Sequence, residues 1–271
     1  MTRAEATTDT SPTGTTVLEP VLADWTDRDG TVRPLLRWVA PPGWRAISTT
    51  VVGGGIGPIR HWLNVKVDKD YDRPDPVAHG HELVRDQFGA GPGGHGAAAD
   101  EVGSVVMLTA AEVTRFTTGD DSGVEVVATV GLGRPVWPAA QAVSPDRWPE
   151  GPGGPDFARG PEFVPGTINL LVAVPVPLSD AALVNAVVTA TEAKSQALVE
   201  FALPGTGTAS DAICIACPAT ASAAGGAAVE AYGGPRSPWG AAIARAVHAA
   251  VAAGTDDWLT IHPPGDPHRM W

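Results

Sequence analysis

From Pro175 to Pro218 the chain carries a helix-length apolar run, a loop of small and hydroxyl residues, and an apolar run short enough for a strand. Ser179 suits an N-cap, because its hydroxyl can accept from the free amides of the first turn, and Asp180 suits the positive helix end. Pro204 and Gly205 stop the helix. Between them Val, Ala and Leu occupy nearly every side, which predicts a buried helix. The exceptions are Asn185, Thr189, Glu192 and Gln196, whose spacing puts them on one face with Lys194 opposite. A buried carboxylate without a partner is costly, so Glu192 is expected to be paired, protonated or facing a cleft. The following loop offers Thr206, Thr208, Ser210 and Asp211 as partners, with glycines that let backbone amides approach a ligand. Two readings stay open: a stripe hydrogen-bonded into the core before a plain turn, or a cleft with chemistry in it.

The strand after this loop contains Cys214 and Cys217 in CxxC spacing. A redox pair opens a helix, and zinc needs a second pair that this chain lacks. In a strand, residues three apart face opposite ways, so two separate core thiols are expected.

With 271 residues the chain can bury a substantial core, in one large domain or two small ones. A net charge of −12 argues against nucleic acid or anionic lipid as partner. No apolar run reaches membrane-span length. The Thr- and Ser-rich start lacks an apolar secretory core, so a cytoplasmic protein is expected, with residues 1–20 as a disordered tail.

Downstream, LLRWVA and WRAISTTVV read as strands joined by a Pro-Pro-Gly turn, followed by Gly53, Gly54 and Gly55. These glycines make either a hairpin connection or a backbone cradle; no P-loop or dinucleotide fingerprint surrounds them. On the next strand Asn64 and Lys66 share a face, either solvated or hydrogen-bonding a ligand. Pro76 to Phe88 reads as a helix with His79, His81 and Glu82, too irregularly spaced for a helical metal pair and expected on the surface. Thr109 and Glu112 match a capping box after the strand GSVVML, and a hairpin follows around GDDSG. Residues 134–164, dominated by Pro, Gly and Trp, read as an irregular insertion. After the strand TINLLVAVP and the segment already described, Ser237 and Pro238 open a last helix that Gly254 closes, with residues 255–271 as a C-terminal tail. With no regular βαβ alternation, the expected fold is a single α+β domain over 21–254, a mixed or antiparallel sheet with packed helices.

PGTINL at 165–170, LSDAALVNAVVTATEAKSQAL at 178–198, GTGTASDA at 205–212 and GGPRSPWG at 233–240, with GGG at 53–55 and NVKVDKDYD at 64–72, resemble the adenosylcobinamide amidohydrolase family of corrinoid salvage enzymes. The resemblance implies hydrolysis of the amide joining the aminopropanol arm of adenosylcobinamide to its corrin ring, giving adenosylcobyric acid and 1-amino-2-propanol. It implies a corrinoid small molecule as partner, and no cofactor beyond the cobalt inside that substrate. The oligomeric state stays open. Amide hydrolysis needs a nucleophile, an oxyanion site and a proton for the leaving amine. No GxSxG, Cys–His or HExxH template is present. Asp211 is therefore expected to activate water, or else Thr208 or Ser210, with Glu192 orienting or protonating the leaving amine. Gly53, Gly54, Gly55, Asn64, Lys66, Asn185, Thr206 and Arg236 are the expected substrate-binding residues, and no resident metal is expected. A non-catalytic corrinoid-binding protein is the alternative, although the DxHxxG cobalt-ligating pattern is missing.

Overall fold

Strand β5 (His61–Lys66) is buried on both sides along most of its length, so it needs a cover on each. Trp62 packs with Leu36, Trp38, Val105 and Met107, while Leu63 and Val65 pack with Leu35, Val106, Leu83 and Val84. The computed structural model describes residues 16–68, 71–89, 103–140, 166–220, 225–269 and 271. In it, β1 (Val21–Thr26), β2 (Val32–Val39), β5 and β6 (Ser104–Thr109) form one sheet in the order β1-β2-β5-β6, and α1 (Pro76–Phe88) covers its outer face. The inner face meets a second sheet built from β3 (Trp44–Ser48), β4 (Gly55–Pro58), β7 (Thr117–Asp121), β8 (Val124–Gly131), β9 (Thr167–Ala173) and β10 (Ala212–Pro218), ordered β4-β3-β10-β9-β8-β7. Leu171, Cys214 and Ala216 reach across to Trp38, Trp62 and Met107. On the far side, Leu170, Val172 and Ile215 meet α2 (Asp180–Glu200) and α3 (Pro238–Ile261). The result is helix, sheet, sheet, helices.

The α+β class with mixed sheets is as expected, and the details add a regularity. β5 and β6 run parallel and are joined through α1; β9 and β10 run parallel and are joined through α2. In each sheet the crossover follows two antiparallel pairings, β1-β2-β5 in one and β7-β8-β9 in the other. One connectivity therefore occurs twice, inner face to inner face. The Pro-Pro-Gly turn does not close a hairpin: β2 and β3 lie in different sheets, and β3 carries β4 to the edge of β10.

Local signals fare unevenly. Ser179 and Ser237 cap their helices, accepting from Ala182 N at 3.1 Å and Gly240 N at 3.1 Å. Cys214 and Cys217 are free, buried and in different apolar clusters, and burial pushes both thiols up. The Thr109–Glu112 capping box is not made. Thr109 Oγ1 accepts from Ala111 N at 2.9 Å, and the short 3-10 turn Val113–Arg115 has no side-chain cap. Gly254 does not end α3 but lies inside it, where a Cβ would come within 2.5 Å of Val130 Cγ2. Its smallness lets the helix lie against β8, and α3 runs on to Ile261 with Trp258 in the core. At the other end Val17 and Leu18 are tied by their amides to Glu125. Residues 1–15, and 141–164 of the expected insertion, lie outside the described residues. No described helix is long and apolar enough to cross a membrane.

His79 is a correction: it is 2% exposed, not a surface residue. It sits beside Trp25 and Tyr71, with Tyr71 Oη 2.9 Å from Nδ1, because α1 turns this face toward β1. Burial, and then the Arg73 guanidinium, push the imidazole below its ordinary value of 6.5, against the opposing pull of Asp27 and Glu82. The unfolded chain thus binds this proton more readily than the folded one. His79 accordingly contributes stability that is present above 6.5 and is lost as the pH falls through the lowered folded value. Urea unfolding at about pH 7.5 and about pH 5.5 is expected to show a larger acid loss for the native chain than for His79→Gln. Equal losses would contradict this assignment.

Candidate active site

The loop between α2 and β10 folds back onto the start of β9, and Asp211 is its centre. Oδ1 accepts from Ile168 N at 2.9 Å and from Thr208 Oγ1 at 2.6 Å. Oδ2 accepts from Thr208 N at 3.1 Å and from Lys194 Nζ, with which it forms an ion pair. The side chains of Lys194 and Asp211 are only 7% and 11% exposed, so the pair is buried. An ionised carboxylate offers about four acceptor positions, and four donors occupy them here. Ser210 Oγ lies 2.9 Å from Thr167 Oγ1 and donates to Gly166 O at 3.3 Å. The loop is pinned from outside as well, since Thr206 N donates to Val136 O at 3.0 Å and Val136 N to Gly207 O at 2.8 Å.

Asp211, Thr208 and Ser210 therefore come together as expected. Glu192 does not join them. It is exposed, and Lys194 on the opposite side of α2 fills the position beside Asp211. The stripe lies along the edge of the buried face: Thr189 is covered and donates to Gly233 O at 2.8 Å, while Asn185, Glu192 and Gln196 are open to solvent. The argument that a buried charge must be paired applies, but to the lysine. A single cation among Ala190, Ala193, Ala197 and Leu198 was the signal for it.

Of the expected binding residues, Asn64 is wholly buried between the sheets. Its Nδ2 donates to Thr129 Oγ1 at 2.8 Å, and its Oδ1 accepts from Asn169 Nδ2 at 2.9 Å. Thr167 and Asn169, both inward-facing on β9, are absent from the sequence-based set, and the second carries a buried Oδ1 without a hydrogen-bond partner among the described residues. Lys66 continues the face of Asn64 outward, donating to Ala110 O at 2.9 Å and pairing with Glu112 at 3.2 Å. Gly53 and Gly54 have a reason within the chain. A Cβ at either would come within 2.2 Å of a backbone oxygen, that of Ser104 or Thr50 respectively. Gly55 has a φ of +84° and open space around it. Asn185 lies against Gly234, and Arg236, two residues further on, is exposed.

A cavity of about 300 Å³ opens at this end of the sandwich, lined by Lys66, Glu112, Arg115, Gly131 and the end of α3. Gly131 connects it to the loop, because a Cβ on Gly166 would meet both Gly131 O, at 2.7 Å, and Thr208 Cγ2, at 2.8 Å.

Comparison with known proteins supplies the context for this geometry. The model of the adenosylcobinamide amidohydrolase family matches residues 23–263. The chain belongs to that family. It is also 35% identical over 221 residues to the adenosylcobinamide amidohydrolase of Halobacterium salinarum, covering 80% of this chain and 83% of that protein. Membership in the adenosylcobinamide amidohydrolase family makes this an enzyme that hydrolyses an amide. The matched span takes in the loop 205–211, Lys194 and the cavity end of α3. The Thr208–Asp211–Lys194 cluster joins a hydroxyl, a carboxylate and an ammonium in direct contact and is nearly closed to solvent, whereas the similar set Thr114–Glu112–Lys66 is more open.

Proposed function

We propose that the chain hydrolyses the aminopropanol amide of adenosylcobinamide, giving adenosylcobyric acid and 1-amino-2-propanol for cobalamin salvage in the cytoplasm. The observation that carries the chemistry is the 2.6 Å hydrogen bond from Thr208 Oγ1 to an Asp211 carboxylate held by Lys194. A saturated carboxylate has no spare lone pair to take a proton from water, which disfavours Asp211 as a direct base on solvent. It can take the proton it already shares with Thr208. In this reading Thr208 Oγ attacks the amide carbonyl and its proton passes to Asp211. The C–N bond then breaks, and Lys194 supplies the proton that lets aminopropanol leave as an amine. Water cleaves the resulting ester, yielding the acid and restoring the Thr208 hydroxyl, and the proton held by Asp211 passes to Lys194, which restores the ion pair. Lys66 lines the cavity and can meet the amide-rich rim of the substrate, whereas Arg236 precedes the opposite end of α3. The cavity of about 300 Å³ suits an arm of the corrinoid rather than its ring. The reading asks for no cofactor; cobalt enters only inside the substrate. Ser210 is the second candidate nucleophile, because the residue is exposed whereas Thr208 is buried.

The test is incubation of the protein with adenosylcobinamide, before and after chelator treatment, with mass spectrometry of the corrinoid. Conversion to adenosylcobyric acid with release of aminopropanol is the expected result, and it should survive the chelator. Corrinoid bound but unchanged would replace this reading with a carrier role. Turnover lost with the chelator would overturn the metal-free chemistry.

A further inference from the structure

We infer that the turn after α3 is a binding site for a divalent transition-metal ion, held by His262, Asp266 and His268. This segment reads as a tail in sequence, yet it is folded back and fixed. Asp266 N donates to Pro263 O and Arg269 N to Asp266 O, each at 2.9 Å. Trp271 Nε1 donates to Leu132 O at 2.9 Å, and the Arg269 guanidinium lies 3.8 Å over its ring. His262 packs 4.4 Å from Trp258 and 5.2 Å from His268, measured between ring centres. Three prolines between the two histidines restrict the backbone further.

The donor atoms converge. One ligand atom from each of the three side chains lies within 4.8 Å of the others. His262 Nδ1 and His268 Nδ1 stand 3.2 and 3.0 Å from Asp266 Oδ1. Metal–ligand bonds of about 2.0–2.2 Å at tetrahedral or right angles separate neighbouring donors by about 2.8–3.6 Å, so these two spacings fit two edges of a coordination polyhedron. Distance alone suits hydrogen bonds equally, and it is the crowding at one oxygen that favours an ion. Asp266 Oδ1 then faces three nitrogens, since His268 N also donates to it at 2.7 Å, while Oδ2 has no hydrogen-bond partner among the described residues. An ion among the three side chains would use the imidazole lone pairs and remove this crowding.

Two imidazoles and one carboxylate select zinc, iron(II), cobalt(II) or nickel(II) over the oxygen-seeking magnesium and calcium. With three protein ligands, such an ion keeps at least one position for water or a ligand donor. Both histidines line the cavity that Lys66 also lines, so that position can face it. The site stands independently of the amide chemistry proposed above, and its test reads binding instead of turnover.

Full-length protein without an affinity tag is titrated with Co²⁺, following its visible absorption, and then with Zn²⁺ by calorimetry. One Co²⁺ per chain, displaced by one Zn²⁺, is expected. His268→Gln, at a side chain 55% exposed that the fold does not depend on, should weaken binding at least about tenfold, that is by about 1.4 kcal/mol. Asp266→Asn should weaken it likewise, and His248→Gln, on the outer side of α3, should leave it unchanged. No saturable binding to the native chain, or His268→Gln binding as tightly as the native chain, would overturn the site.

Discussion

Lys194→Met is expected to lower the unfolding free energy by about 3–5 kcal/mol, because it leaves the Asp211 carboxylate buried without its counter-charge. The side chains are almost closed to solvent, so water cannot take the ammonium's place. Three donors would remain on Asp211, and none of them carries a charge. Urea unfolding measures the effect directly. Replacing both partners, as in Lys194→Met with Asp211→Leu, should recover part of the loss, since no unpaired charge remains. A cost below about 1 kcal/mol for Lys194→Met, the level of an exposed pair, would show that the pair is not buried as described. Gly207→Ala should strain the same place, because its Cβ would lie 2.4 Å from Asp211 Oδ2 and 2.5 Å from Lys194 Nζ.

Thr208→Ala should reduce turnover of adenosylcobinamide by at least about 10³-fold, the scale on which loss of a nucleophile is felt. Folding should persist, since the backbone amide of Thr208 still donates to Asp211. Thr208→Ser keeps a hydroxyl where Asp211 can accept its proton and should retain measurable activity. Ser210→Ala should stay much nearer the native rate. Asp211→Asn should lose activity with Thr208→Ala, because a neutral amide cannot take the proton. An inactive Ser210→Ala beside an active Thr208→Ala would move the nucleophile to Ser210. Full activity in both would point to attack by water.

The sequence discloses those parts of the fold that depend on neighbours along the chain. The caps at Ser179 and Ser237, the β7–β8 hairpin and the opposed cysteines all follow from local hydrogen bonding or from the two-residue strand period. The division into two sheets does not. A strand such as β5, buried on both faces, shows no clean alternation, and nothing in the Pro-Pro-Gly turn says whether β3 pairs with β2 or leaves for another sheet. The site divides the same way. Thr208, Ser210 and Asp211 lie within four residues of one another and are visible as a group. Choosing between Glu192 and Lys194 requires knowing which side of α2 meets β10, and an Ala-rich helix leaves that side ambiguous. The burial of His79 is hidden for a related reason, because it depends on which face of α1 turns toward Trp25 and Tyr71.

The connectivity that recurs in the two sheets also decides how each is covered. A half-length chain with that connectivity would leave its inner sheet face bare, and a second copy related by a dyad would cover it, as in an isologous homodimer. Within this single chain the two inner faces cover each other instead, and Asn64 and Asn169, on the corresponding strands β5 and β9, meet between them. The first half contributes β3 and β4 to the edge of its neighbour, and the second carries the Lys194–Asp211 pair and the Thr208 hydroxyl. One connectivity thus serves twice as a frame, while the buried ion pair lies on one side of it.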